Sequence, residues 1–104
     1  MQEIMDKIFE IAAKYEKKSL VEMTLKGSEE MGELAEAVLS YQGVPGCGYK
    51  KLTKDDVAEE ACDVLIVVLA VLSRAGISQD KVKEIMNGKM DKWLEQAMKS
   101  NTDT

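Results

Sequence analysis

The sequence predicts an all-α fold: a four-helix domain whose bundle assembles as a dimer or tetramer. Three observations carry that expectation. Apolar residues recur at helical spacing, as in Ile4, Ile8, Ile11 and Ala12. Residues that cap helix N-termini, Ser19, Thr53 and Ser78, stand at the heads of three segments. Gly43 and Gly76 stand at the ends of two of them, and the only proline, Pro45, lies in a glycine-rich loop.

The first helix is expected over residues 2–17. Ser19 and Glu22 form a capping-box pattern that opens a second helix, which runs to about Gln42 and stops at Gly43. GVPGCGYKKL, with three glycines, is a loop. Thr53, followed by Asp55 and Asp56, supplies the cap and the acidic first turn of a third helix. Its run VLIVVLAVL is β-branched enough to suit a buried strand, but the cap, the segment length and Gly76 decide for helix. Ser78 and Asp80 open a fourth helix that carries Trp93 and fades near Ser100. No low-complexity segment or boundary divides the chain, so residues 1–104 are expected to form a single domain.

Composition narrows the chemistry. A net charge of −5, with both signs mixed along the chain, argues against a nucleic-acid partner. MQEIMDKIFE has no apolar signal-peptide core, and the longest apolar run is about half a bilayer span, so no membrane partner is expected. The two cysteines, Cys47 and Cys62, form no CxxC and no disulfide framework, and Cys62 reads as a small buried hydrophobe. These features fit a cytoplasmic protein. With no histidine, a Ser-His-Asp triad, a histidine base and a histidine-ligated zinc are excluded. Carboxylates, lysines and a hard metal ion remain.

The carboxylates form a pattern. Glu29-Glu30-Met31-Gly32-Glu33-Leu34 is echoed thirty positions later by Glu59-Glu60-Ala61-Cys62-Asp63-Val64. Two amphipathic helices of similar design would account for the echo alone. At about 100° per residue, however, Glu30 falls within the apolar stripe of Met23, Leu34, Ala37 and Tyr41, and Glu33 falls at its edge. Glu60 likewise falls among Val57, Val64, Val67 and Val71, with Asp63 at the edge, while Glu29 and Glu59 point about 100° away, toward solvent or toward groups behind the site. Four carboxylates on core-facing sides destabilise a bundle unless cations compensate them. An all-oxygen set suits Mg2+, with Mn2+ as the second choice. On the fourth helix Lys89 shares a stripe with Val82, Ile85, Met86 and Trp93, and Lys92 lies one step round. Both lysines could snorkel to water, or neutralise phosphate beside a metal. Lys50, Lys51 and Lys54 flank the loop and could do the same, although the loop lacks the phosphate-loop lysine-serine pattern.

At these residues the chain resembles the MazG-like nucleotide pyrophosphohydrolases of the all-α NTP pyrophosphatase superfamily. The family pattern EExxE, spacer, ExxD reads here as Glu29-Glu30-Met31-Gly32-Glu33, twenty-six residues, then Glu60-Ala61-Cys62-Asp63. A C-terminal element of the form N-x-K-x-x-(R/K) is matched by Asn87-Gly88-Lys89-Met90-Asp91-Lys92. Trp93 departs from the pattern, standing where family members often carry a basic residue, and Asn87 falls opposite Lys89 on the helix.

The resemblance implies hydrolysis of a nucleoside triphosphate between the α and β phosphates, giving monophosphate and pyrophosphate. It implies Mg2+ held by Glu30, Glu33, Glu60 and Asp63, with Glu33 or Glu30 acting on the water and Glu29 and Glu59 behind the ligands. Lys89, Lys92, Asn87, Trp93 and Lys54 would meet the substrate. It also implies a homodimer or homotetramer with sites near subunit interfaces. Val21, Leu25 and Leu39, with Leu65 and Leu69, support assembly independently, because they make two helices apolar on more than one face. A broad NTP or dNTP substrate ranks first. The alternatives are a phosphoribosyl-ATP pyrophosphatase, whose members often carry histidine in the second acidic helix, and a dedicated dCTP or dUTP hydrolase. A non-catalytic helical interaction module and a metal-binding regulatory module are alternatives of another class.

Overall fold

The computed structural model describes residues 1–48 and 50–102. Four helices account for the architecture: α1 Gln2–Lys14, α2 Leu20–Tyr41, α3 Lys54–Arg74 and α4 Gln79–Thr102, with no strand among the described residues. The fold is all-α, as the caps and periodicity predict.

Local chemistry sets the boundaries. Ser19 Oγ accepts the Glu22 N–H at 3.1 Å while Glu22 Oε1 accepts the Ser19 N–H at 3.1 Å. At α3 the Thr53 N–H donates to Asp56 Oδ2 at 2.7 Å and Thr53 Oγ1 accepts the Asp56 N–H. Gly76, at φ 82°, takes the left-handed turn that ends α3. α1 ends three residues earlier than the sequence suggests. The N–H groups of Tyr15 and Glu16 both donate to Ile11 O, at 2.9 and 3.2 Å, and Glu16 Oε1 accepts the Lys18 N–H at 2.9 Å. The bond from Glu16 to Ile11 O is i→i−5, a wider turn than the helix allows, and it stops the helix before Lys17.

α3 is the central element, packed by α2 and by α1. Gly27 allows a close approach of α2, since a Cβ there would lie 3.4 Å from Val67 Cγ1. Ser73 Oγ donates to Phe9 O at 3.1 Å and ties α3 to α1. Ser40 is buried, and its Oγ accepts the Leu52 N–H at 3.0 Å, which returns the end of the loop to α2.

The contacts that tie α4 to α1 lie at its start. Val82 is buried, and Gln79 and Lys83 hydrogen-bond Gln2 and Asp6 of α1. Residues 83–101 are exposed, and α4 packs along neither α2 nor α3. The radius of gyration is 16.8 Å, against about 13 Å for a compact chain of this length. This arrangement corrects two expectations. The apolar run of α3 is not buried in the single chain: Leu65, Ile66 and Val68 are about half exposed. Cys62 is exposed as well. Burial by α2 and α1 covers only part of α3, and the helix that would cover the rest stands away. No described helix is long and apolar enough to cross a membrane.

Candidate metal centre

Glu30 sits in the middle of α2, and Glu60 and Asp63 sit one turn apart on α3. Each offers a carboxylate oxygen, and the three oxygens lie within 4.8 Å of one another. Glu30 is 7% exposed. Glu60 is partly buried, and Asp63 lies at the open edge, so the helical-wheel placement of all three holds.

The site is electrostatically unbalanced. Glu30 Oε2 and Glu60 Oε2 are both buried without a hydrogen-bond partner. Burial pushes the Glu60 carboxyl above the ordinary carboxylate range, and Glu33, Asp63 and Glu30 push it in the same direction. Glu33 is exposed and falls outside the group of three, but its carboxylate is near enough to act on the Glu60 carboxyl. Orphaned buried oxygens on two helices, in an all-oxygen donor set, fit a hard divalent cation.

Lys26, which the helical periodicity does not single out, also stands at this cluster. Its Nζ lies 3.1 Å from Glu30 Oε1 and 3.7 Å from Glu29 Oε2. The hydrogen bond to Glu30, with the charges of Glu29, Glu30 and Glu33, raises the Lys26 ammonium above its ordinary range. The signal was available, because Lys26 and Glu30 have the i,i+4 spacing of a helical ion pair.

Glu29 and Glu59 are exposed. Lys54 opens α3 and is exposed. Lys50 is engaged with Glu36 at 2.6 Å. Asn87, Lys89, Lys92 and Trp93 are exposed on the detached part of α4. The structure therefore brings Glu30, Glu60 and Asp63 together, sets Glu33 beside them, and does not bring the α4 residues to them within one chain. Next to the cluster, an open apolar groove of about 380 Å3 runs between α2 and α3, past Gly27, Met31, Val64, Val67 and Val68.

A comparison with protein-family models supplies the deciding observation. Residues 1–89 match the family described as phosphoribosyl-ATP pyrophosphohydrolase. The chain belongs to that family. Phosphoribosyl-ATP pyrophosphohydrolases form part of the all-α MazG-like NTP pyrophosphatase superfamily, so the superfamily read from the acidic motifs stands. They are metal-dependent enzymes that act on phosphoanhydride bonds. The family match favours the phosphoribosyl-ATP reading over a broad NTP or dNTP substrate, reversing the order expected from the sequence. Comparisons with curated proteins and with solved structures found no match.

Proposed function

We propose that this chain hydrolyses the α–β phosphoanhydride of phosphoribosyl-ATP, releasing pyrophosphate, with Mg2+ or Mn2+ held by Glu30, Glu60 and Asp63. The family match supports the substrate. The metal centre rests on one observation: two buried, partnerless carboxylate oxygens, on different helices, in a cluster of three acidic residues. Water adds to phosphorus, the bond to the bridging oxygen breaks, and pyrophosphate leaves with that oxygen. Glu33 is exposed and lies beside Glu60, so it can meet a water at the rim and take its proton. When bound, the cation polarises the phosphate and lowers the pKa of the attacking water. Glu29 and Glu59 shape the field from behind.

We also propose a homodimer or homotetramer. The chain exposes 7997 Å2, whereas a compact monomer of 11.5 kDa exposes about 5,800 Å2. In that assembly α4 of a neighbouring copy carries Lys89, Lys92, Asn87 and Trp93 toward the substrate. Lys54 approaches it from the start of α3.

A second reading, a broader NTP or dNTP pyrophosphohydrolase, has one observation in its favour: the chain has no histidine. Pyrophosphate release, measured with Mg2+ across phosphoribosyl-ATP, NTPs and dNTPs, separates the two. The highest kcat/KM for phosphoribosyl-ATP is the expected result, and a preference for an NTP or dNTP moves the assignment to the second reading. Asp63→Asn should abolish turnover while the helical fold persists. Release from no substrate, or a fully active Asp63→Asn enzyme, refutes the proposed site.

A further inference from the structure

Lys26 stands one turn before Glu30 on α2 and makes the two oxygens of that carboxylate inequivalent. Oε1 is bonded to the ammonium at 3.1 Å, while Oε2 is buried and without a partner. The terminal torsion of a glutamate is broad, so an unbraced carboxylate samples many orientations. A metal ligand must hold one. Lys26 is built to impose it. Lys26 borders a cleft with Met23 of its own helix and Ile66, Val67 and Ala70 of α3, so groups of both helices flank it. Its head lies at the outer edge, the side chain being 42% exposed against 9% for Glu30.

We propose that Lys26 is a positioning residue of the metal centre: it holds the outer oxygen of Glu30 and so directs Oε2 toward Glu60 and Asp63. The alternative is that the ammonium stands in for the cation and must leave when metal binds. Geometry argues against it. A stand-in would bond the buried oxygens, yet Glu30 Oε2 and Glu60 Oε2 both lack partners while Lys26 is occupied with Oε1 and, at 3.7 Å, Glu29. The proposal rests on the metal-centre reading above, and its test separates the two.

The test is Mn2+ binding to the purified chain, followed by electron paramagnetic resonance, with metal-free thermal melts alongside. Lys26→Met keeps the stem and removes the brace. Partners that orient a metal ligand typically contribute about ten- to a hundredfold in metal affinity, and that is the weakening expected. The metal-free melt should fall, because Glu30, only 9% exposed, loses its ammonium, so binding is compared at a temperature where the melts show both variants folded. Lys26→Arg should restore most of the affinity. Lys18→Met is the control: Lys18 borders the same cleft but pairs with Glu16 at 3.8 Å, and its affinity should equal wild type. Should Lys26→Met fail to fold, Lys26→Gln, retaining a shorter polar head, should still bind more weakly than Lys26→Arg. Binding as tight as wild type, or tighter, in the neutral variant overturns the positioning role. If wild type itself binds no Mn2+, the metal centre falls first, and the proposal with it.

Discussion

Leu94→Glu tests whether α4 meets another copy of the chain. In one chain Leu94 is 60% exposed and stands with Met90, Trp93 and Ala97 on the apolar side of α4. If nothing covers that side, the substitution is a surface change worth within about 0.5 kcal/mol. The whole-chain area says otherwise. The excess over a compact monomer, about 2,200 Å2 per chain, exceeds the roughly 800 Å2 per partner of a standard interface and reaches the range of obligate ones. A carboxylate placed at such an interface without a partner costs on the order of 3 kcal/mol. That is about a hundredfold in dissociation constant, and about ten-thousandfold when a two-fold axis presents the change twice. Light scattering with small-angle X-ray scattering reads the outcome. Wild type should be at least a dimer at micromolar concentration, and Leu94→Glu should shift toward monomer or aggregate. An active wild-type monomer with a radius of gyration near 13 Å would refute the reasoning, since α4 would then close on its own chain.

Two further predictions concern charge. Because Glu60 titrates above its ordinary range, the metal-free fold is penalised wherever Glu60 is ionised, and protonation relieves the penalty. Metal-free melting temperature should therefore rise as pH falls from neutrality toward the ordinary carboxylate range. It should fall again at lower pH, where Asp6, Glu16, Glu22 and Asp56, held down by hydrogen bonds, are protonated. A steady decline from neutral pH downward, read by calorimetry in chelator, contradicts this. Lys89→Met should leave the melt unchanged and lower kcat/KM about ten- to a hundredfold by removing a phosphate contact. Lys81→Met, which loses only an exposed pair with Glu84 at 3.5 Å, should be nearly silent, and equal kinetics in both variants would mean that Lys89 only snorkels.

The parts of the structure legible in the sequence are those decided within about one helical turn. Ser19 with Glu22, and Thr53 with Asp56, are reciprocal pairs between residues three apart, so they can be read without tertiary knowledge. Glu30 and Glu60 were found because a wheel reports which face a residue occupies. A wheel does not report what that face meets. Hence the half-exposed Leu65 and Ile66, the exposed Cys62 and the unpacked α4 were not foreseen, because each depends on which helix lies opposite. The early end of α1 rests on two N–H groups sharing Ile11 O, a backbone choice with no side-chain signature. Lys26 escapes a wheel for another reason: its signal is a pairwise i,i+4 match with Glu30, and an apolar stripe does not report ion pairs.

The division between helices has an energetic logic. Metal ligands must be held to fractions of an ångström, and the three clustered carboxylates stand on α2 and α3, which Gly27 lets approach closely against Val67. Phosphate cations tolerate looser placement, because a lysine is a point charge on a flexible stem. Lys89 and Lys92 stand on the helix that, among the described residues, is anchored at its start by Val82 and by the contacts of Gln79 and Lys83 with Gln2 and Asp6. On the proposed function, a site divided in this way is acidic and incomplete in a lone chain and would gain its cations in two steps: the metal at α2 and α3, then the lysines with assembly and substrate. The carboxylates that weaken the metal-free chain would then favour metal loading, which would tie folding and loading to one cluster around Glu30, Glu60 and Asp63.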